Sequence, residues 1–105
     1  MNIRFEYLYR DGGNFKKWGE VVFLNPHNVS VDVVMSMARD VLIDQTYFVA
    51  NKACLPDLHF REYDEQLDHG WHEAHAFQPT DDAANDPQSR SIEELMESLR
   101  FASKI

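Results

Sequence analysis

The sequence predicts an α+β fold of order ββαββα: a two-layer sandwich in which an antiparallel four-stranded sheet carries two helices on one face. Three observations point there. Residues Asn2 to Arg10 alternate between apolar and polar and run into a glycine-bearing turn, the pattern of a half-buried strand entering a hairpin. Two later stretches, opening at Ser30 and Ser91, repeat apolar residues at helical spacing behind a capping serine. Strand-like runs precede each of them. A β-grasp with an extra C-terminal helix is the alternative architecture for the same order.

In the first strand, Ile3, Phe5, Tyr7 and Tyr9 fall on one side and Asn2, Arg4, Glu6 and Arg10 on the other, with Leu8 out of pattern. Asp11-Gly12-Gly13-Asn14 turns the chain, and its glycines are expected to supply the positive φ of a tight hairpin. Phe15 to Leu24 is the return strand. Pattern alone leaves two registers: an odd-length turn with a bulge sets Ile3, Phe5 and Tyr7 opposite Phe23, Val21 and Gly19, whereas an even turn swaps the faces of the return strand. The first is preferred because it matches apolar with apolar. That register puts Glu6 beside Glu20, a local repulsion the sequence does not explain.

Asn25-Pro26-His27-Asn28 stops the strand. Ser30 then caps a helix running to about Ile43, with Val31, Val34, Met35, Ala38, Val41 and Leu42 as its core-facing stripe. Val33 and Met37 widen that stripe, so a second element should rest on this flank. Tyr47 to Ala50 reads as either a short strand or an apolar plug. Leu58 to Tyr63 is the expected third strand and Trp71 to Gln78 the fourth, joined by a long acidic loop. Pro79 to Ser89 is expected to be a solvated, mobile connection. Ser91-Ile92-Glu93-Glu94 is a capping box, and Ile92, Leu95, Met96, Leu99 and Ala102 form the stripe of the final helix. The two helix starts match at a constant offset of 61, which suggests two strand–strand–helix units.

Composition narrows the function. The chain has 105 residues, read as a single domain over 1–105, and its 44% hydrophobic share suffices for a core. No run approaches the roughly 18 apolar residues of a membrane span, and the one cysteine, Cys54, fits a reducing, cytoplasmic setting. The net charge is −8. Residues 1–56 carry six acids and six bases, whereas residues 57–105 carry twelve acids and four bases. All the imbalance lies in the second half, which argues against direct nucleic-acid or membrane binding and for a basic protein partner.

Candidate chemistry is sparse. Asp68, His69 and His72 could converge on a metal at a turn, but His72 and His75 are one residue short of the spacing that two helical zinc ligands need. Cys54 beside His59 could be drawn as a nucleophile and base, yet Ala53-Cys54-Leu55 is an apolar context that predicts a small core residue. No nucleophile elbow, phosphate loop or dinucleotide glycine pattern occurs, so the reading leans away from an enzyme and requires no cofactor. The acids remain. Asp64, Glu65 and Asp68 lie in one loop and Asp81, Asp82 and Asp86 in another, with Trp71 as the aromatic anchor between them. Folded to one end, these loops would steer a cationic partner. In size, acidity and single-cysteine economy the chain looks like small immunity proteins, antitoxins and nuclease inhibitors, a likeness of composition that rests on no motif. If Trp18 and Val22 are both exposed, a homodimer could cover them.

Overall fold

The structure, a computed structural model, describes residues 1–58 and 71–103. Its elements are β1 (Asn2–Arg10), β2 (Lys16–Phe23), α1 (Val31–Val41), β3 (Tyr47–Phe48), β4 (His72–Thr80) and α2 (Ile92–Ala102). The strands form one antiparallel sheet in the order β2-β1-β4-β3. Ile3, Phe5, Tyr7 and Tyr9 point inward and share one core with Val34 and Ala38 of α1 and with Ile92, Leu95 and Leu99 of α2. Both helices therefore cover the same face, and α2 lies against α1. The antiparallel pairing of β1 with β4 does not fit a β-grasp, whose first and last strands run parallel.

The hairpin adopts the register that apolar matching predicts: Ile3 opposite Phe23, Phe5 opposite Val21, Tyr7 opposite Gly19. Glu6 does face Glu20, and Arg4 settles the repulsion by lying 3.5 Å from each carboxylate. The turn works differently from expectation. No described glycine has positive φ; Asn14 takes the left-handed position at 66°, and the Asp11 carboxylate accepts from the backbone N–H groups of Gly13 and Phe15. A short polar side chain that bonds its own turn does the work assigned to glycine. Gly19 matters for another reason. A Cβ there would meet both Leu58 methyls at 3.0 Å and the Tyr7 ring at 3.3 Å.

Leu8 breaks the alternation because the outer face of the sheet also buries it. It sits between Trp18 on β2 and Glu73 on β4 and is 4% exposed. A bulge in β4 makes His75 the extra residue opposite Glu6 and Tyr7, and its ring meets Trp18 edge-on at 4.8 Å. Trp18 stays exposed, but Val22 is buried, so only one of the two residues expected to drive a homodimer is available.

Three further expectations change. The third strand is Tyr47–Phe48; Leu58 lies in no strand, and residues 59–63 fall outside the described residues. The two-unit repeat holds for the helix caps and fails for the sheet. β1 is central whereas β3, its counterpart, is an edge strand. The connection after β4 is not a loose tether either. Asn85 exchanges bonds with the backbone of Val22, and Leu24 bonds Arg90 and Ile92, so this segment closes the outer edge of β2.

Candidate protein-binding pole

One end of the molecule collects acids by construction. Asn2 pairs with Thr80 and Ile3 with Phe23, so β1 begins where β2 and β4 end. Asp81 and Asp82 follow β4 there, and the Asn2 side chain donates to the Asp82 carbonyl at 3.0 Å. The side-chain amide of Asn25 donates to the Val29 carbonyl and accepts from the Val29 N–H, which turns the chain from β2 directly into α1. Ser91, the cap of α2, is bridged to Leu24 just beyond β2. Both helices thus start at this end. Each carries acid in its first turn (Asp32; Glu93 and Glu94), and each carries a base in its last (Arg39; Arg100).

That placement follows the helix dipole, whose positive end stabilises carboxylates at the N-terminus. The same dipoles offset part of the charge, roughly half a unit per helix, so the field at the pole is weaker than five carboxylates imply. The His27 ring nitrogen Nδ1 lies 2.6 Å from one Glu93 carboxylate oxygen. At the opposite end lie Lys16 and Lys17, with Arg10, whose guanidinium is paired with Glu73 at 2.9 Å. β1 alone, at about 3.4 Å per residue, separates the two ends by about 27 Å. This exceeds the screening length of about 8 Å at physiological salt, so each end presents its own charge. Within the acidic end, Met1, Ile3, Val29, Val31 and Pro79 line a concavity of about 280 Å³. Met1, Leu24 and Val33 are exposed apolar side chains at this end.

The described residues among those singled out in the sequence, Trp71, Asp81, Asp82 and Asp86, do not gather into one patch. Asp81 and Asp82 are exposed at the pole. Asp86 is turned inward: its carboxylate is 0% exposed and paired with Arg90 at 2.8 Å. Burial pushes the Asp86 carboxyl up, but the hydrogen bonds and charge of Arg90 outweigh that and hold it below the ordinary carboxylate range. Its charge is neutralised inside the protein and steers nothing. Trp71 stands at the other end of β4 from Asp81, half-buried against Tyr47 at 5.5 Å. The length of β4, about 27 Å at the spacing of a strand, separates that ring from Asp81, so the expected anchor and these two steering residues occupy opposite ends. Asp64, Glu65, Asp68 and His69 lie outside the described residues.

His72 faces the core, not a surface metal site. It is 1% exposed among Tyr7, Tyr9 and Phe48, and its Nε2 accepts the Leu58 N–H at 3.0 Å. Asp57 lies 3.6 Å from the same nitrogen; since that nitrogen's lone pair is taken by Leu58, the contact is not an ion pair in this tautomer. Among the described residues no three His, Cys, Asp or Glu side chains are grouped to hold a metal. Cys54, expected in the core, is exposed at a left-handed position (φ 56°) while its neighbours Ala53 and Leu55 are buried. Among the described residues, no helix is long and apolar enough to cross a membrane.

Asp32 and Leu24 were missed as members of the pole. The signal for Asp32 was present in the matching caps at Ser30 and Ser91, which imply two like-charged helix starts; nothing local marks Leu24. Comparison with known protein families, with curated proteins and with solved structures finds no match.

Proposed function

We infer that the protein is a small non-enzymatic binding module, of the immunity, antitoxin or inhibitor type, that docks a basic protein through its acidic pole. One observation carries this reading: both helix starts and the end of β4 meet at one end, with Asp32, Asp81, Asp82, Glu93 and Glu94 there and the hairpin cations at the other. Clustered like charge accelerates encounter with an oppositely charged partner and makes association salt-sensitive. Leu24 and the adjacent concavity give the apolar contact that charge alone does not supply.

Charge reversal tests it. Asp81→Lys with Asp82→Lys should sharply reduce recovery of the bound partner from native lysate, and raising the salt should do the same to the unaltered protein. Both carboxylates are exposed, so folding should survive, as circular dichroism would verify. Partner recovery that is undiminished by the reversal and indifferent to salt would overturn the reading.

A further inference from the structure

The chain abandons the outer edge of β4 early. Asp44 and Gln45 take left-handed backbone angles (φ 48° and 60°), and reciprocal 2.8 Å bonds between Ile43 and Tyr47 close a tight turn. β3 therefore pairs only with His72 and Glu73, and the Ala74 N–H adds one bond to the Thr46 carbonyl. Beyond Ala74, no strand among the described residues pairs with that edge. Beside it runs a groove of about 200 Å³, lined by Met35 and Ala38 of α1, by Leu42 at the C-cap of that helix and by Ala74 and Phe77 of β4. Arg39 also lines it, from the last turn of α1.

We propose that this groove takes a short extended peptide as an added strand, with an apolar side chain between α1 and β4 and a carboxylate at Arg39. An open sheet edge offers alternating donors and acceptors that extended backbone satisfies, while a neighbouring apolar groove selects side chains. Arg39 sets the sign of the charge. A second copy of the chain is a poorer occupant. Pro79 lacks an N–H and the bulge at His75 distorts the edge, so added strand bonds are confined to the short stretch between them, which a short peptide can match and the long strands β1 and β2 of a second copy cannot. Two copies would also bring together a charge of −8 each. The groove lies on the α1 side of β4, and its peptide is of opposite charge preference to the partner of the acidic pole, so neither proposal depends on the other.

The probe is a pool of peptides of about six residues, alternating threonine with leucine, valine or phenylalanine and ending in a free carboxylate. These are titrated to about 1 mM into the full chain labelled with ¹⁵N and ¹³C. Saturable shifts should appear at the amides of residues 75–78 and at the methyls of Met35 and Leu42. N-methylating the peptides along one edge removes strand bonds and should weaken binding roughly tenfold or more. Arg39→Ala should weaken the carboxylate pool and leave its amide-capped form unchanged. The proposal is overturned if no peptide gives saturable shifts at those positions, or if N-methylation leaves the affinity untouched.

Discussion

Replacing Arg90 with methionine should cost more than any surface change on this protein. The guanidinium donates to both Asp86 oxygens at 2.8 and 3.0 Å, and to the carbonyls of Ala53 and Cys54 at 2.5 and 3.0 Å. It also lies 5.5 Å over the Phe23 ring. One side chain thereby ties the segment after β4 to the end of β2 and to the chain at 53–54. Methionine keeps much of the apolar stem but strands a fully buried carboxylate and two carbonyls. Removing one partner of a buried pair costs about 3–5 kcal/mol, a large part of the roughly 5–15 kcal/mol that holds a domain folded. Urea unfolding followed by circular dichroism measures it.

Two controls separate charge from packing. Asp86→Asn removes the buried charge, so the double variant should be more stable than the two single losses predict, by about 1–3 kcal/mol. The pH dependence has a definite sign. Because the folded Asp86 carboxyl is held low, its stabilisation is present above the unfolded value of about 3.9 and disappears as pH falls through the folded one. In Arg90→Met the stranded carboxyl protonates more readily, so the gap to the unaltered protein should narrow in acid. A loss below about 1 kcal/mol, or a gap that stays constant into acid, would refute the reasoning.

Gly19→Val should destabilise by about 1–3 kcal/mol through overpacking, because a Cβ would press on Leu58 and Tyr7. Adding Leu58→Ala should recover part of that loss in the same denaturation assay. The Tyr7 hydroxyl donates to the Pro56 carbonyl at 2.8 Å, and burial, with the nearby Asp57 charge, pushes its ionisation well above the ordinary phenol range. Stability linked to Tyr7 is therefore intact below about pH 10, the unfolded value, and is lost as pH climbs from there toward the folded one. Ultraviolet titration should show the Tyr7 phenol ionising only where the chain unfolds, and comparison with Tyr7→Phe identifies its contribution.

The elements whose information is local were legible. A side-chain period of two makes a one-residue slip swap the faces of the return strand, so apolar matching favoured one of two hairpin registers, and the structure adopts that one. Ser30 and Ser91 announced both helices because a cap is satisfied within its own first turn; each serine accepts from the N–H three residues on. The candidate site was only partly legible. Asp81 and Asp82 were identified correctly as exposed acids, but composition gives Asp86 the same appearance, and only the approach of Arg90 distinguishes it.

By itself, then, the sequence determined the strand–helix order, the presence of the first hairpin, the helix starts and the sign of the net charge, while it left the hairpin register between two alternatives. Those four follow from periodicity, turn chemistry and counting. Tertiary structure decided that Tyr47–Phe48 is the third strand, that His72 lies among the core rings and that Trp71 and Asp81 stand at opposite ends of β4. It also decided that the helix starts share one end. Those outcomes depend on which distant segments meet, and long-range contact is set by how the whole chain can bury its apolar faces together, which no local window contains.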